Sequence, residues 1–256
     1  MTSKDSVASD PVALVVGGSS GMGRVTALRL AQDGFHVVVA ARRFALCEEV
    51  VAEIHSSGGR ATALTIDITE DESVATCFSQ IEHQLGRLDA AFNNSGRTLG
   101  FSVTTETPLT RLQETLELNL LGTFRCLQHE LRLMRAQGSG AIVNNASIAA
   151  TRGFAGLQDY CAAKSALIGL SKSAALEYAP FGIRINVITP GLIATERYET
   201  IRAQPNSPIE ARLKDIPVGH AGSMEDIAAT VSWLLRPDVS FVTGAVIPID
   251  GGECAK

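Results

Sequence analysis

The stretch Val12-Ala13-Leu14-Val15-Val16-Gly17-Gly18-Ser19-Ser20-Gly21-Met22-Gly23 joins an apolar run to a glycine-rich turn. The apolar run has the length and β-branched content of a buried strand, and the residues from 21 to 32 that follow have a helical period. A strand that leads into a helix through such a turn is typical of the first unit of a doubly wound α/β fold.

Short apolar runs and longer segments of helical period alternate from this unit to the end of the chain. Strands are predicted at residues 12–16, 36–40, 61–66, 88–92, 141–145, 184–188 and 245–249, and helices at residues 21–32, 45–55, 70–84, 108–135, 159–179 and 224–235. Most of these strands are apolar throughout, as strands covered on both faces are. The pattern predicts one Rossmann-type α/β domain over residues 11–256, with a seven-stranded parallel sheet flanked by helices.

Length, charge and cysteine content limit the class of protein. The chain has 256 residues, and its 27 acidic against 22 basic side chains give a net charge of −5, which provides no basic field for nucleic acid or an anionic membrane. No stretch approaches the ~18 apolar residues of a membrane span. The five cysteines are odd in number and widely spaced, which favours reduced thiols in the cytoplasm over disulfides. The polar residues 1–10 are predicted to be a flexible tail.

The glycine-rich turn predicts a site for a dinucleotide. Its peptide N–H groups, with the N-terminus of the helix that follows, can face a pyrophosphate, and glycine permits that approach because it has no Cβ. The candidate ligands are Gly17, Ser19, Ser20, Gly21, Met22 and Gly23.

The same turn also fits the nucleophile elbow of a serine hydrolase, with Ser19 as the nucleophile. An elbow of that kind follows several strands and precedes an acid and a late histidine. Here one strand precedes it, and the late histidine is His220. The hydrolase therefore stands as the weakest alternative.

Two arginines follow the second predicted strand, where NAD-binding folds carry an acid for the adenosine ribose. Arg42 and Arg43 offer guanidinium groups to a 2′-phosphate instead. The sequence therefore favours NADP over NAD, while a solvated arginine pair at the start of a helix is the alternative.

Tyr160 and Lys164 lie one turn apart on a predicted helix, so that an ammonium group is next to a phenol. A neighbouring cation is expected to lower the phenol pKa and make Tyr160 a general acid and base. Ser147 follows the fifth strand, where its hydroxyl can bind a carbonyl oxygen. Asn119 lies inside the helical period of residues 108–135, and a bound water, a distorted helix or catalysis each explains it.

These residues, in this order, resemble the short-chain dehydrogenase/reductase family in its branch of about 250 residues, from Val12 to Gly252. The resemblance also covers Asp67, Asn93-Asn94-Ser95-Gly96 and Pro190-Gly191 with Thr195. It implies that Tyr160 is the proton donor in carbonyl reduction, that Lys164 holds the nicotinamide ribose and that Ser147 steadies the carbonyl oxygen. Asn119 would hold a water next to Lys164.

The same resemblance implies further cofactor contacts, hydride transfer to or from nicotinamide and no need for a metal. These contacts involve Asp67, Ile68, Asn94, Ser95, Gly96, Pro190, Gly191, Ile193 and Thr195. It also implies a homotetramer, with a homodimer as the alternative. A non-catalytic NADP-binding regulatory protein on the same fold is the second hypothesis for function.

The segment 195–217 breaks the alternation of strands and helices and is predicted to cover the substrate, with a plain connecting loop as the alternative. An apolar substrate pocket is predicted from Phe154, Leu157, Ile193, Tyr198 and Ile201. Arg97 and Arg152 could face an anionic group or solvent.

Overall fold

Seven parallel strands form one sheet in the computed structural model, which describes residues 10–205 and 207–255. The strands are β1 Val12–Val16, β2 His36–Ala41, β3 Arg60–Thr65, β4 Ala90–Asn93, β5 Gly140–Asn145, β6 Ile183–Pro190 and β7 Val246–Ile249, in the order β3-β2-β1-β4-β5-β6-β7. Register places Val15 of β1 beside Val39 of β2 and Phe92 of β4. The predicted sheet is confirmed, while most of the predicted tail, residues 1–9, lies outside the described residues.

Nine α-helices connect and cover the strands in the described residues. They are α1 Gly21–Gln32, α2 Phe44–Ser56, α3 Asp71–Leu85, α4 Leu109–Leu116, α5 Gly122–Gln137, α6 Gln158–Tyr178, α7 Glu196–Arg202, α8 Ile209–Leu213 and α9 Met224–Leu235. Helices α1, α2 and α9 pack on one face of the sheet, and α3, α5 and α6 pack on the other. No helix among the described residues has the length and apolar character needed to cross a bilayer.

Alternate side chains of the central strands supply the two cores. Leu14 and Val16 of β1 face the layer of α3, α5 and α6, whereas Ala13 and Val15 face the layer of α1, α2 and α9. All four are buried. Each large aliphatic side chain removed from water in this way stabilises the fold by about 2 kcal/mol. The sheet is thus covered on both faces, as its apolar strands predicted.

The helix predicted over residues 108–135 is interrupted, and this is the main correction to the predicted elements. Residues Glu117–Leu121 form a π turn between α4 and α5. Inside it, the Nδ2 group of Asn119 donates to the carbonyl of Thr115 at 2.9 Å and to that of Arg97 at 3.0 Å. The side chain thereby binds the carbonyl four residues earlier, which a regular helix reserves for its own N–H group. A distorted helix was among the explanations open for Asn119, and it is the one observed.

The segment 195–217 contains the short helices α7 and α8. No helix was predicted there, because the segment breaks the alternation of strands and helices. The ends of the other predicted elements differ from the observed ones by at most two residues. Asn206, within this segment, lies outside the described residues.

Candidate active site

The candidate site lies at the carboxyl ends of β1, β4, β5 and β6. The first crossover leads from β1 to β2 on one side, and β4 pairs with β1 on the other. The crossovers on the two sides of β1 therefore diverge, which opens a crevice beyond its end. The predicted glycine turn, Asn94 and Ser147 follow strands that end at this crevice, and Pro190 is the last residue of β6.

The glycine turn has the shape of a phosphate cradle. Gly17 and Gly21 have φ values of 78° and 55°, which disfavour side chains other than that of glycine. The N–H groups of Gly17 and Gly18 donate to the Ala40 carbonyl at 2.7 and 3.3 Å. A Cβ on Gly23 would lie 2.1 Å from the Gly17 carbonyl oxygen. The turn is therefore folded closely on itself, and α1 starts directly from it, so the residues present fit the pyrophosphate of a dinucleotide.

The predicted adenosine end of the site is basic. The Nη2 group of Arg43 donates to the Ser20 hydroxyl at 2.8 Å and approaches that of Ser19 at 3.4 Å. Arg42 keeps 63% of its side chain exposed, and its Nη1 atom lies 4.0 Å from Asp67 Oδ2. The guanidinium of Arg43 thus lies beside the glycine turn, and that of Arg42 lies beside Asp67; each can offer the charged donors that a 2′-phosphate needs.

Asp67 follows β3 and is held by its own turn. Burial alone would raise its pKa, but its Oδ1 accepts from the N–H of Thr69 at 3.0 Å and the hydroxyl at 2.7 Å. Together with Arg42 these bonds leave the Asp67 pKa below its ordinary value. The side chain of the next residue, Ile68, is buried against Gly122 of α5, and its carbonyl accepts from Arg125 Nη1 at 3.3 Å.

A chain of amide groups connects the glycine turn with Lys164. Asn94 donates to the Gly17 carbonyl at 3.4 Å and accepts from Asn145 Nδ2 at 2.7 Å. The Asn145 carbonyl in turn accepts from Lys164 Nζ at 2.7 Å. Ser95 packs against Gly17, because a Cβ on Gly17 would lie 2.9 Å from the hydroxyl oxygen of Ser95. The glycine turn and Lys164 are therefore connected through Asn94, which follows β4, and Asn145, which ends β5.

Gly96, Asn119 and Lys164 meet at one point. A Cβ on Gly96, whose φ is 142°, would lie 2.6 Å from Asn119 Oδ1 and 3.2 Å from Lys164 Nζ. Asn119 Oδ1 is buried and makes no hydrogen bond within the protein. An acceptor of this kind requires a donor, and a water next to Lys164 meets that requirement.

The Tyr160 hydroxyl is hydrogen-bonded to Ser147. Ser147 also accepts from the N–H of Ala149 at 3.2 Å, which fixes its side chain at the end of β5. The phenol, the hydroxyl and the ammonium of Lys164 are therefore brought together, as the sequence predicted.

The expectation that Lys164 lowers the phenol pKa is wrong for this structure. Burial raises the Tyr160 pKa above its ordinary value, and the hydrogen bond of Ser147 and the charge of Arg197 only partly oppose this. Lys164 Nζ lies 5.8 Å from the centroid of the Tyr160 ring. Burial also lowers the pKa of Lys164 to about 8, because its ammonium is taken out of water.

The predicted nicotinamide contacts follow β6. Pro190 ends the strand, and Gly191 packs so closely on Asp250 that a Cβ would lie 2.9 Å from its Cα. Ile193 is buried, and Thr195 accepts from the N–H of Tyr198 at 3.4 Å at the start of α7. A carboxylate oxygen of Glu196 lies 3.6 Å from the position of a Gly21 Cβ. The start of the segment 195–217 therefore lies beside the glycine turn.

The predicted pocket residues differ in how far they are buried. Tyr198 and Ile193 are buried, whereas Leu157 and Ile201 are half-buried. Phe154 lies beneath a guanidinium, with its ring centroid 4.8 Å from Arg152 Cζ.

The two predicted arginines differ in their surroundings. Arg97 is exposed and contributes its carbonyl to Asn119. Arg152 forms an ion pair with Glu253 at 3.3 Å, an arrangement that the sequence did not predict.

Sequence reasoning missed an anchor next to Tyr160. Asp159 is buried and accepts from Arg111 Nε and from the Thr115 hydroxyl, both at 2.9 Å. Arg111 also donates to the Gly100 carbonyl. These bonds attach the start of α6 to α4 and to the loop after β4. A carboxylate directly before Tyr160 was the available signal.

The serine hydrolase alternative finds little support in the geometry. Ser19 contacts Arg43, and the ring of His220 contacts the carbonyl of Ala221, so these two residues form no Ser–His pair. Within residues 10–205 and 207–255, no group of three metal-ligating side chains is present.

Comparison with known proteins gives consistent relatives. A family model described as "Enoyl-(Acyl carrier protein) reductase" matches residues 16–253. Levodione reductase of Leifsonia aquatica is 36% identical over 253 residues, covering 96% of this chain and 95% of that protein. Cyclohexanol dehydrogenase of Acinetobacter sp. (strain SE19) is 38% identical over 246 residues, covering 96% and 95%. The crystal structure of levodione reductase superposes with a TM-score of 0.92 at 33% identity, covering 96% of this chain and 98% of that one.

Proposed function

The chain belongs to the short-chain dehydrogenase/reductase family, and from this premise we propose that it is an NADP(H)-dependent ketone reductase or secondary-alcohol dehydrogenase. Its family places it among NAD(P)-dependent oxidoreductases that act on CH–OH or C=O groups. The observation that carries the proposal is the contact of Tyr160 with Ser147 near buried Lys164, joined to the glycine turn through Asn145 and Asn94.

Each residue of this group has one role in the proposal. The Tyr160 hydroxyl gives a proton to the carbonyl oxygen during reduction and takes it back during oxidation. The Ser147 hydroxyl donates a hydrogen bond to the same oxygen as its negative charge develops. Lys164 and Asn119 hold a water that returns the proton from solvent. A bound nicotinamide would supply or accept the hydride.

The raised pKa of Tyr160 suits the reductive direction. A phenol that stays protonated at neutral pH is ready to donate. Alcohol oxidation needs the phenolate as the base, so we expect its rate to increase as the pH rises.

NADP is proposed over NAD because Arg42 and Arg43 directly follow β2, where a carboxylate would favour NAD. Arg43 already holds Ser20, and the largely exposed Arg42 has a guanidinium available for a 2′-phosphate. The proposed cofactor contacts remain those predicted from the sequence.

Three further properties are proposed with this activity. The segment 195–217 covers a substrate pocket that takes an apolar ketone, a class to which the names of the two relatives point. The chain assembles as a homotetramer or a homodimer through its exposed apolar helix surfaces. All five cysteines are free thiols, which suits a cytoplasmic location.

The decisive experiment measures NADPH binding and then NADPH oxidation with a panel of cyclic and open-chain ketones. We expect turnover in the native protein and a loss of at least ~10²-fold in kcat for Tyr160→Phe with unchanged NADPH affinity, because a general acid has been removed. Tyr178→Phe, at the far end of α6, is the control and should remain active.

Two results would contradict the proposal. Near-normal turnover in Tyr160→Phe would remove the phenol from the mechanism. NADPH binding without turnover across a broad panel would support the non-catalytic alternative.

A further inference from the structure

Strand β7 is followed by a turn, residues 250–254, that the side chain of Asp250 fixes. Asp250 accepts from the N–H of Gly252 through Oδ1 and from the N–H of Cys254 through Oδ2, both at 2.9 Å. The turn follows β7 directly and places Glu253 in the interior, with 3% of its surface exposed. We call these residues the C-terminal turn.

Glu253 binds two arginines from different parts of the site. Its Oε1 lies 3.3 Å from Arg152 Nη1 and 3.7 Å from Arg212 Nε. Arg152 belongs to the loop that follows Ser147, and Arg212 belongs to α8 in the segment 195–217. The Cζ atoms of both arginines also lie close to the Phe154 ring, 4.8 and 5.5 Å from its centroid.

The C-terminal turn also touches the end of β6 and the end of the covering segment. Glu253 Oε2 lies 3.5 Å from the position of a Gly191 Cβ. The Gly251 carbonyl accepts from the N–H of Val218 at 3.3 Å, and Gly251 approaches Ile216 so closely that a Cβ would lie 2.8 Å from it. Three segments of the site therefore meet at this turn.

The buried charge of Glu253 is balanced by Arg152 and Arg212, which makes their contact with the carboxylate strong. A buried carboxylate costs several kcal/mol unless cations or hydrogen bonds compensate it. Oε2 has no hydrogen-bond partner within the described protein, so Arg152 and Arg212 supply most of the compensation. Arg152 donates a hydrogen bond to Oε1, whereas Arg212 Nε, which is buried and has no hydrogen-bond partner among the described residues, contributes its charge from 3.7 Å.

We propose that Glu253 is a positioning residue that fastens the segment 195–217, through Arg212, to the loop after Ser147, through Arg152. Fastened in this way, α8 and Phe154 form a fixed wall of the substrate site. Glu253 itself acts through the two arginines and not on the reacting atoms. The kinetic consequence rests on the proposed function, whereas the structural consequence does not.

The test compares Glu253→Gln with the native enzyme, because the amide keeps the shape and removes the charge. We expect KM for the ketone to rise about 10-fold, the loss given by one charged contact, while kcat changes less than about 2-fold and NADPH affinity stays constant. Glu253→Asp keeps the charge and should recover part of the native KM. The control is Glu210→Gln, which breaks the exposed pair with Arg202 in the same segment and should change nothing.

Hydrogen exchange of backbone amides gives a readout that needs no turnover. In Glu253→Gln, amides of α8 and of the loop after Ser147 should exchange faster, while those of β1 and α9 keep their native rates. Arg212→Gln should produce the same local change and add little in the Glu253→Gln background.

Two outcomes would overturn the proposal. Native exchange rates in α8 of Glu253→Gln would do so whether or not the enzyme reduces ketones. Faster exchange throughout the molecule would also do so, because Glu253 would then support the whole fold and not this segment.

Discussion

Gly96 shows how tightly single residues are fitted around Lys164. Its φ of 142° and the 2.6 Å approach of Asn119 Oδ1 leave no place for a Cβ. Gly96→Ala should displace Asn119 or Lys164, lower kcat at least ~10-fold by misplacing the proton path and destabilise the fold by about 1–3 kcal/mol. Steady-state kinetics and denaturant unfolding measure the two effects.

Gly100→Ala is the matched control for this substitution. Gly100 also has a positive φ, 117°, but no atom lies within 4 Å of its Cβ position. It should lose stability through backbone strain and keep its kcat. Equal losses of kcat in both variants would show that strain in the loop, and not the contact with Asn119, matters for activity.

We expect Arg42 to set the preference between NADP and NAD. Arg42→Ala combined with Ala41→Asp removes a cation and places a carboxylate where it repels a 2′-phosphate and accepts from a ribose hydroxyl. We expect the ratio of kcat/KM for NADPH over NADH to fall by at least ~10²-fold. Arg60→Ala, on β3 at a distance from the turn, should leave the ratio unchanged. An unchanged ratio in the double variant would mean that other residues recognise the 2′-phosphate.

The sequence predicted the chemical groups of the site better than their supports. Tyr160, Lys164 and Ser147 could be found because spacing and strand ends are visible in one dimension. Asn145 and Asp159 were missed because their partners lie far away in the chain. The direction of the Tyr160 pKa shift was wrong because burial, which sets it, depends on packing that spacing does not reveal.

Among the elements, the break between α4 and α5 is the feature that periodicity could not show. A single π turn adds one residue to a helical repeat, and apolar spacing over residues 108–135 tolerates that addition. The polar Asn119 at a buried position was the only indication. The other elements were predicted because apolar strands and amphipathic helices repeat over many residues.

A buried carboxylate on α5 makes the stability of this layer depend on pH. Glu130 is fully buried, accepts from Asn93 Nδ2 at 3.0 Å, and burial raises its pKa to about 8 from an ordinary 4.5. Folding therefore favours the protonated acid. The native state gains stability from Glu130 below pH 4.5 and loses it progressively as the pH rises toward 8.

Glu130→Gln should remove this dependence, because an amide does not titrate. The variant should gain stability over the native protein as the pH rises from 5 to 8, by at most about 1.4 kcal/mol per pH unit. Thermal unfolding at several pH values measures the difference. Glu82→Gln, on the exposed face of α3, is the control. A constant difference between Glu130→Gln and the native protein would show that Glu130 does not titrate in this range.

At the scale of the whole molecule, apolar side chains remain uncovered on the layer of α5 and α6. Phe124 and Leu176 are 40% and 81% exposed. If copies of the chain associate through this layer, Phe124→Asp with Leu176→Asp should give a smaller species in light scattering after gel filtration. Val103→Asp changes an equally apolar exposed residue outside these helices and should keep the native mass. A native protein that is monomeric at micromolar concentration would contradict the proposed assembly.

The architecture as a whole followed from very local rules. Right-handed crossovers and short connections leave few ways to arrange seven parallel strands, so predicting the strands predicted the sheet and the edge where the site lies. The contribution of residues 250–254 could not be foreseen in the same way. Glu253 lies four residues after the end of β7, and its burial depends on how β7 returns the chain to the crevice.

The amide groups of Asn94 and Asn145 have a practical consequence for anyone who redesigns this enzyme. They connect the backbone of the glycine turn to Lys164 in two steps, so in the proposed mechanism coenzyme recognition and proton delivery share one support. Libraries that vary the turn to accept other coenzymes should hold both asparagines fixed. A design that moves either amide would trade turnover for selectivity, even though no mutated atom touches the substrate.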